Sequence, residues 1–247
     1  MMHGKAKLYG IPGSHNAANG EAMLRHKGIP YERRDLITGA HALILPRLLG
    51  FDGDTVPALK IDGRKVLGSR AIARALDELK PDPPLFPADP QERRRVEDAD
   101  RWGEDVLQQF PRRLLYALVA REPASAKTFL DGARLGFPNA LAAPSAGAIA
   151  KLKSRGTSEG QIRADLAALP AAVAEVDRLI ETGVLGGESR NAADFQIAAQ
   201  VRILMTVDDL RATIDPHPAA ALARAVYPNL PGHVGAVLSA SERALLR

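Results

Sequence analysis

The chain has 247 residues, 46% hydrophobic and 25% charged, which is the balance of an ordinary soluble protein with core enough for one or two domains. With no cysteine, it can hold no disulfide framework, thiolate metal site or Cys-x-x-Cys redox pair. Its net charge of +4 comes from basic residues interleaved with acidic ones, and few aromatics are present for base stacking, so no nucleic-acid partner is expected.

No run of 18 apolar residues is present, so no membrane association is expected either. The first residues pass straight into a strand-like run at 6–10 with no long apolar stretch before it. That reading predicts no signal peptide and a cytoplasmic location. A turn at Ile11-Pro12-Gly13-Ser14 precedes a helix from about Asn16 to Lys27, stopped by Gly28 and Pro30. Tyr31 to Leu36 reads as a second strand, and Ala42 to Leu49 as a short helix ended by Gly50.

Thr55 to Ile72 is the most informative stretch. Proline at a strand entrance costs the sheet no ladder bond, which makes Val56-Pro57 a candidate cis peptide. Asp62-Gly63 between apolar alternations signals a hairpin. Ser69 reads as the N-cap of a helix with apolar residues at Ala71, Ile72, Ala75, Leu76 and Leu79. The order is βαβαββα, which needs helices on both faces of a sheet with a parallel central pair.

Four prolines between Pro81 and Pro87 form a stiff linker. Beyond it no convincing strand appears, and helices are expected near 90–109, 111–122, 125–135, 144–154, 158–182, 191–206 and 217–226. Pro111 should kink or split the helix around it. Asn191 followed by Asp194 is a capping-box pair, and the helix it opens is apolar nearly all round, as a buried core helix is.

The Val-Pro, Asp-Gly and Ser-x-Ala-Ile order resembles the thioredoxin-like domain of glutathione transferases, as does the capping box in their helical domain. The resemblance implies a thioredoxin-like α/β domain over 1–80, a linker over 81–89 and an all-α domain over 90–247. It implies glutathione as co-substrate, a hydrophobic electrophile as second substrate, a homodimer and no metal. Such enzymes stabilise the thiolate, because the thiolate is the nucleophile.

Leu8-Tyr9-Gly10-Ile11-Pro12-Gly13-Ser14 is similar to the serine-type, delta/theta-like pattern, and by that resemblance Ser14 would face the sulfur. Capping alone is the competing reading of Ser14. Tyr9 is the rival donor, set against strand-end packing. Asn16 is a helix-start residue that would touch the thiol. Val56 and Pro57 would offer backbone groups to the peptide, and Ser69 would receive its γ-glutamyl carboxylate at a helix N-terminus. Arg70 would assist unless it is simply solvated, and His41 aligns loosely with a ligand-touching histidine. Trp102, Arg113 and Tyr116 fall on helices expected to line the electrophile cleft, with domain packing preferred for Trp102.

Three positions depart from the pattern. Gly68 stands where Glu or Gln usually precedes the serine, Ala18 where the first helix commonly has Arg, and Phe51-Asp52 where Asn-Pro is usual. The donor set is therefore thinner. A non-catalytic ligand-binding protein on this fold, or an enzyme for another small thiol, stays open. The six histidines show no metal-ligand spacing. His15 beside Ser14 would make a nucleophile–base pair only if the two side chains turned the same way, and no partner acid is visible.

Overall fold

The computed structural model describes residues 6–247, without the side chains of 140 and 143–146. Strand β1 (Ala6–Gly10) runs parallel to β2 (Tyr31–Asp35), with helix α1 (His15–His26) as the crossover between them. A short α2 (His41–Leu43) continues into a π-helical turn over Ile44–Leu48. The hairpin β3 (Ala58–Ile61) and β4 (Arg64–Leu67) pairs antiparallel onto β1, giving the order β2-β1-β3-β4. Helix α3 (Ser69–Leu79) closes the unit and buries Ile72, Ala73 and Leu76. This is the thioredoxin-like mixed sheet expected from the sequence, but the parallel pair is not central. Strand β2 is an edge strand, and the central pair β1–β3 is antiparallel because the β3–β4 hairpin adds to the other side of β1. Val56-Pro57 is cis.

Ser69 is not the cap that the sequence suggested. It is the first helical residue, and Gly68 holds the cap position with φ +83°, a conformation that favours glycine. The Gly68 N–H donates to the Pro57 carbonyl at 2.9 Å, tying the cis-proline loop to the start of α3.

The 81–87 segment is docked against the sheet unit. The fully buried Lys27 side chain reaches Asp77 Oδ1 at 2.6 Å and donates to the carbonyls of Lys80, Pro81 and Pro83 at 2.8, 3.3 and 2.6 Å. Leu85 and Phe86 are buried, and the Leu85 carbonyl accepts from Ala192 N at 2.9 Å. Asp82-Pro83 is a second cis bond.

The helical region comprises α4 (Pro90–Trp102), α5 (Tyr116–Arg121), α6 (Ala143–Ser154), α7 (Glu159–Glu181), α8 (Ala192–Leu204), α9 (Asp208–Ile214), α10 (Pro218–Val226) and α11 (Ala240–Arg243). The chain from 103 to 115 is split by two π-helical turns, Gly103–Leu107 and Pro111–Leu115, so the break expected at Pro111 comes with an extra residue per turn. The helix expected over 125–135 is instead a 3-10 helix, Pro123–Leu130, and α9 and α11 were not anticipated.

Helix α8 is the axis of the core. All its residues but Arg202 are buried, and it packs on α1, α3, α4 and α10. Its capping box forms as expected, with Asp194 N donating to Asn191 Oδ1 at 3.1 Å and Asn191 N to Asp194 Oδ2 at 2.9 Å. Among the described residues no helix is long and apolar enough to cross a membrane.

Candidate functional site

A cleft of about 610 Å³ opens between the sheet unit and the helical region. One wall is the β1–α1 turn, the loop before α2 and the cis-proline loop; the other comes from 111–119, Phe129 and α6. Ser14, His15, Asn16, His41 and Val56 all line it, three stretches that lie apart in the chain and that the sheet unit brings together.

Ser14 caps α1 and accepts from Ala17 N through Oγ at 3.1 Å. Capping uses an oxygen lone pair and leaves the hydroxyl proton free to donate. Capping and facing a ligand are therefore compatible at Ser14.

His15 lines the cleft beside it, but its Nε2 is buried and has no partner among the described residues. Burial, aided by the nearby Arg112 charge, lowers its pKa to about 4. The neutral imidazole is too weak a base to hold the proton of an ordinary thiol, whose pKa is ~8.5. Asn16 is engaged across the interface. Its Oδ1 accepts from Gln200 Nε2 at 3.1 Å, and its Nδ2 donates at 3.0 Å to the Gln108 oxygen in the orientation that satisfies that amide. Deeper along the same seam, Asn19 Nδ2 donates to Gln196 Oε1 at 2.7 Å.

His41 accepts from Gly39 N through Nδ1 at 3.0 Å, and burial followed by the Lys153 charge lowers its pKa. Val56 faces the cleft, and among the described residues neither of its backbone groups has a partner. Pro57 is buried with its carbonyl already taken by Gly68.

Several expected positions lie elsewhere. Ser69 is buried outside the cleft lining. Arg70 turns toward the helical region and meets Asp100 at 3.2 Å and Glu104 at 3.4 Å. Burial pushes the Asp100 carboxyl up to about 6 despite that pairing. Tyr9 is buried edge-on to Phe51, with ring centroids 5.9 Å apart, in a small second core. Trp102 packs on the main core. Neither Tyr9 nor Trp102 lines the cleft.

Arg113 also leaves the expected wall, forming a two-pronged pair with Asp165 on α7 at 2.6 and 2.9 Å. Its neighbour Arg112 takes the cleft position, together with Tyr116. Both arginines lie in the π-helical turn Pro111–Leu115, and it is the pairing with Asp165 that takes Arg113 to the other side. Lys153, Phe129, Ile149 and Asp54 also line the cleft without having been anticipated. Lys153 is carried on α6, whose Ala-rich sequence has no periodicity that marks a cleft-facing side. Among the described residues no group of three or more His, Asp or Glu could hold a metal ion.

Comparison with known proteins agrees with this architecture. Residues 8–84 match the family described as glutathione S-transferase, N-terminal domain. Over the whole chain the structure is similar to a glutathione S-transferase from Rhodospirillum rubrum F11, at 20% identity and a TM-score of 0.60, covering 91% of this chain and 88% of that one. It is similar to a maleylacetoacetate isomerase from Anaeromyxobacter dehalogenans at 19% identity and a TM-score of 0.52, covering 92% and 87%. A glutathione S-transferase from Methylobacterium radiotolerans, in complex with glutathione sulfonate, aligns at 20% identity and a TM-score of 0.51, covering 91% of both chains. No curated protein sequence matches. The fold is that of the glutathione transferases.

Proposed function

We propose that the chain is a transferase-like enzyme that binds glutathione in this cleft and adds its thiol to an electrophilic carbon. The observation that carries the reading is the pairing of Ser14, whose hydroxyl proton is free at the N-terminus of α1, with the unpartnered backbone of Val56 in one cleft. The peptide's cysteinyl backbone would pair with Val56 as an added strand, presenting its sulfur to Ser14. A thiol near pKa ~8.5 ionises more readily when a hydroxyl and a helix N-terminus face the sulfur. Each factor of ten needs about 1.4 kcal/mol of differential stabilisation. His41, which lines the cleft, is a further contact in this reading, and Asn16 acts by holding the α1 start against α8 through Gln200.

A second reading is favoured by Ser69, Arg70 and Gly68. The first two lie outside the cleft lining and the third brings no side chain, so the γ-glutamyl end has few donors. A small thiol other than glutathione, or a ligand bound without turnover, suits that thinner set. Calorimetric titration with reduced glutathione, and with S-methylglutathione as control, separates these readings. Micromolar-to-millimolar binding, about −8 to −4 kcal/mol, that weakens on S-methylation supports thiol recognition. Absence of binding moves the assignment to the second reading. The proposal includes a homodimer; light scattering should give twice the chain mass of 26.4 kDa, and a monomer would remove that part.

A further inference from the structure

Charge distribution in the cleft departs from that of a purely apolar acceptor site. Leu115, Val119, Phe129 and Ile149 supply apolar wall, yet Arg112 and Lys153 also line it, and both are exposed. Neither has a carboxylate partner among the described residues, unlike Arg113 beside Asp165. The Arg112 guanidinium donates to the neutral Gln108 amide oxygen at 2.6 and 3.0 Å. The Lys153 ammonium lies 5.1 Å from the centroid of the Tyr116 ring. Arg112, Tyr116 and Lys153 all line the same cleft, and Lys153 lies over the Tyr116 ring.

The other titratable groups of the cleft do not cancel them. His15 and His41 are both pushed toward the neutral form by burial. Asp54 is the acidic lining residue, and it belongs to the cis-proline loop on the opposite wall. Two cations held without a counter-charge in a concave site favour an anion, and a carboxylate is a group that a guanidinium and an ammonium both bind.

We infer that the second substrate is a planar acceptor carrying a carboxylate, its ring on Tyr116 and Phe129 and its anionic end between Arg112 and Lys153. This deepens the proposed function and rests on that reading only for the word substrate; the binding claim stands on the cleft alone. The carboxylate anchors the acceptor and takes no part in bond making.

The test is calorimetric binding of 4-chloro-3-nitrobenzoate against 4-chloro-3-nitrobenzamide to the full chain, without glutathione and at low salt. The benzoate is expected to bind at least tenfold tighter than the amide. Arg112→Gln and Lys153→Met should each cut that preference several-fold, and the double variant should abolish it. Equal affinity for the two probes overturns the inference. A preference that survives in the double variant also overturns it, because the carboxylate then sits elsewhere, as on a thiol subsite. Both residues are exposed, so melting curves should match the parent protein. Since the readout needs no thiol, failure to bind glutathione would remove the proposed enzyme reaction without touching this result.

Discussion

Lys27 Nζ lies 2.6 Å from Asp77 Oδ1 with the lysine side chain fully buried. Asp77 Oδ1 also accepts from Leu85 N at 2.7 Å, so a single ion pair joins the end of α1, the end of α3 and the proline-rich segment. A buried charge that loses its partner is costly because neither water nor another ion replaces it. Lys27→Met should therefore destabilise the protein by ~3–5 kcal/mol. Urea unfolding monitored by circular dichroism measures this, and a loss below about 1 kcal/mol would show that the linker docks by apolar burial alone.

Ser14→Ala removes a cap and a hydroxyl donor together. The cap is worth about 1 kcal/mol of stability. Loss of one well-placed donor to a developing anion costs about a hundredfold in turnover. With glutathione and an activated aryl chloride, turnover should fall by that order while glutathione affinity changes little. Unchanged turnover, alongside the expected drop in stability, would leave Ser14 with its capping role only.

Phe129 reaches the cleft by packing across Gly13. A Cβ at Gly13 would lie 2.7 Å from Phe129 Cβ, and its φ of +68° already favours glycine. Gly13→Ala should cost ~1–3 kcal/mol through strain and overpacking. It should also weaken aryl ligands by displacing the ring. Pairing it with Phe129→Ala in a double-mutant cycle should recover part of the loss; strictly additive losses would mean the two positions are uncoupled.

Glu242 sets an acid limit on stability. The Arg121 guanidinium, bonded to both its oxygens at 3.0 and 2.8 Å, lowers its pKa from 4.5 to about 2, against the opposing effect of burial. Because the folded pKa is depressed, the contribution is present above about pH 4.5 and disappears as pH falls toward 2. It amounts to about 2 kcal/mol once the partial exposure of Arg121 is discounted. Unfolding free energies at pH 6 and pH 3 should converge between the parent and Glu242→Gln as pH drops. A constant difference at both pH values would contradict this assignment.

Much of the fold is legible in local sequence because it rests on near-neighbour chemistry. The Asp62-Gly63 turn, the cis Val56-Pro57 bond and the Asn191/Asp194 capping box all depend on residues within a few positions of each other. The glycine stop at Gly28 and the apolar run of α8 are of the same kind. The cap of α3 was misread because two adjacent residues compete for it, and a positive φ at Gly68 decided the matter. The buried glutamines of α8 were read as part of an apolar helix, whereas they bond to Asn19 and Asn16, more than 170 residues earlier in the chain.

The candidate site was legible mainly where turns and caps carry it, with Tyr116 on the helical wall as the further expected residue that lines the cleft. Ser14, Asn16, His41 and Val56 reach the cleft because each sits at the end of an element whose limits are marked by proline, glycine or a cap. Arg113 against Arg112, and Tyr9 against the cleft, depended on which side each residue faces. Pairing of Arg113 with Asp165 and packing of Tyr9 on Phe51 settled those two cases.

The sequence by itself determined the order of elements along the chain in the first domain, the turn chemistry, the absence of any reaction through a cysteine of its own and the serine at the start of α1. Tertiary structure alone decided which cations share the cleft and which are neutralised. Arg112 and Lys153 are 41 residues apart and unpaired among the described residues, while Arg113 finds Asp165 and Arg70 finds Asp100. Pairing of that kind is a matter of distance and burial in three dimensions, where Coulomb attraction and desolvation compete, and no local pattern in the chain encodes it.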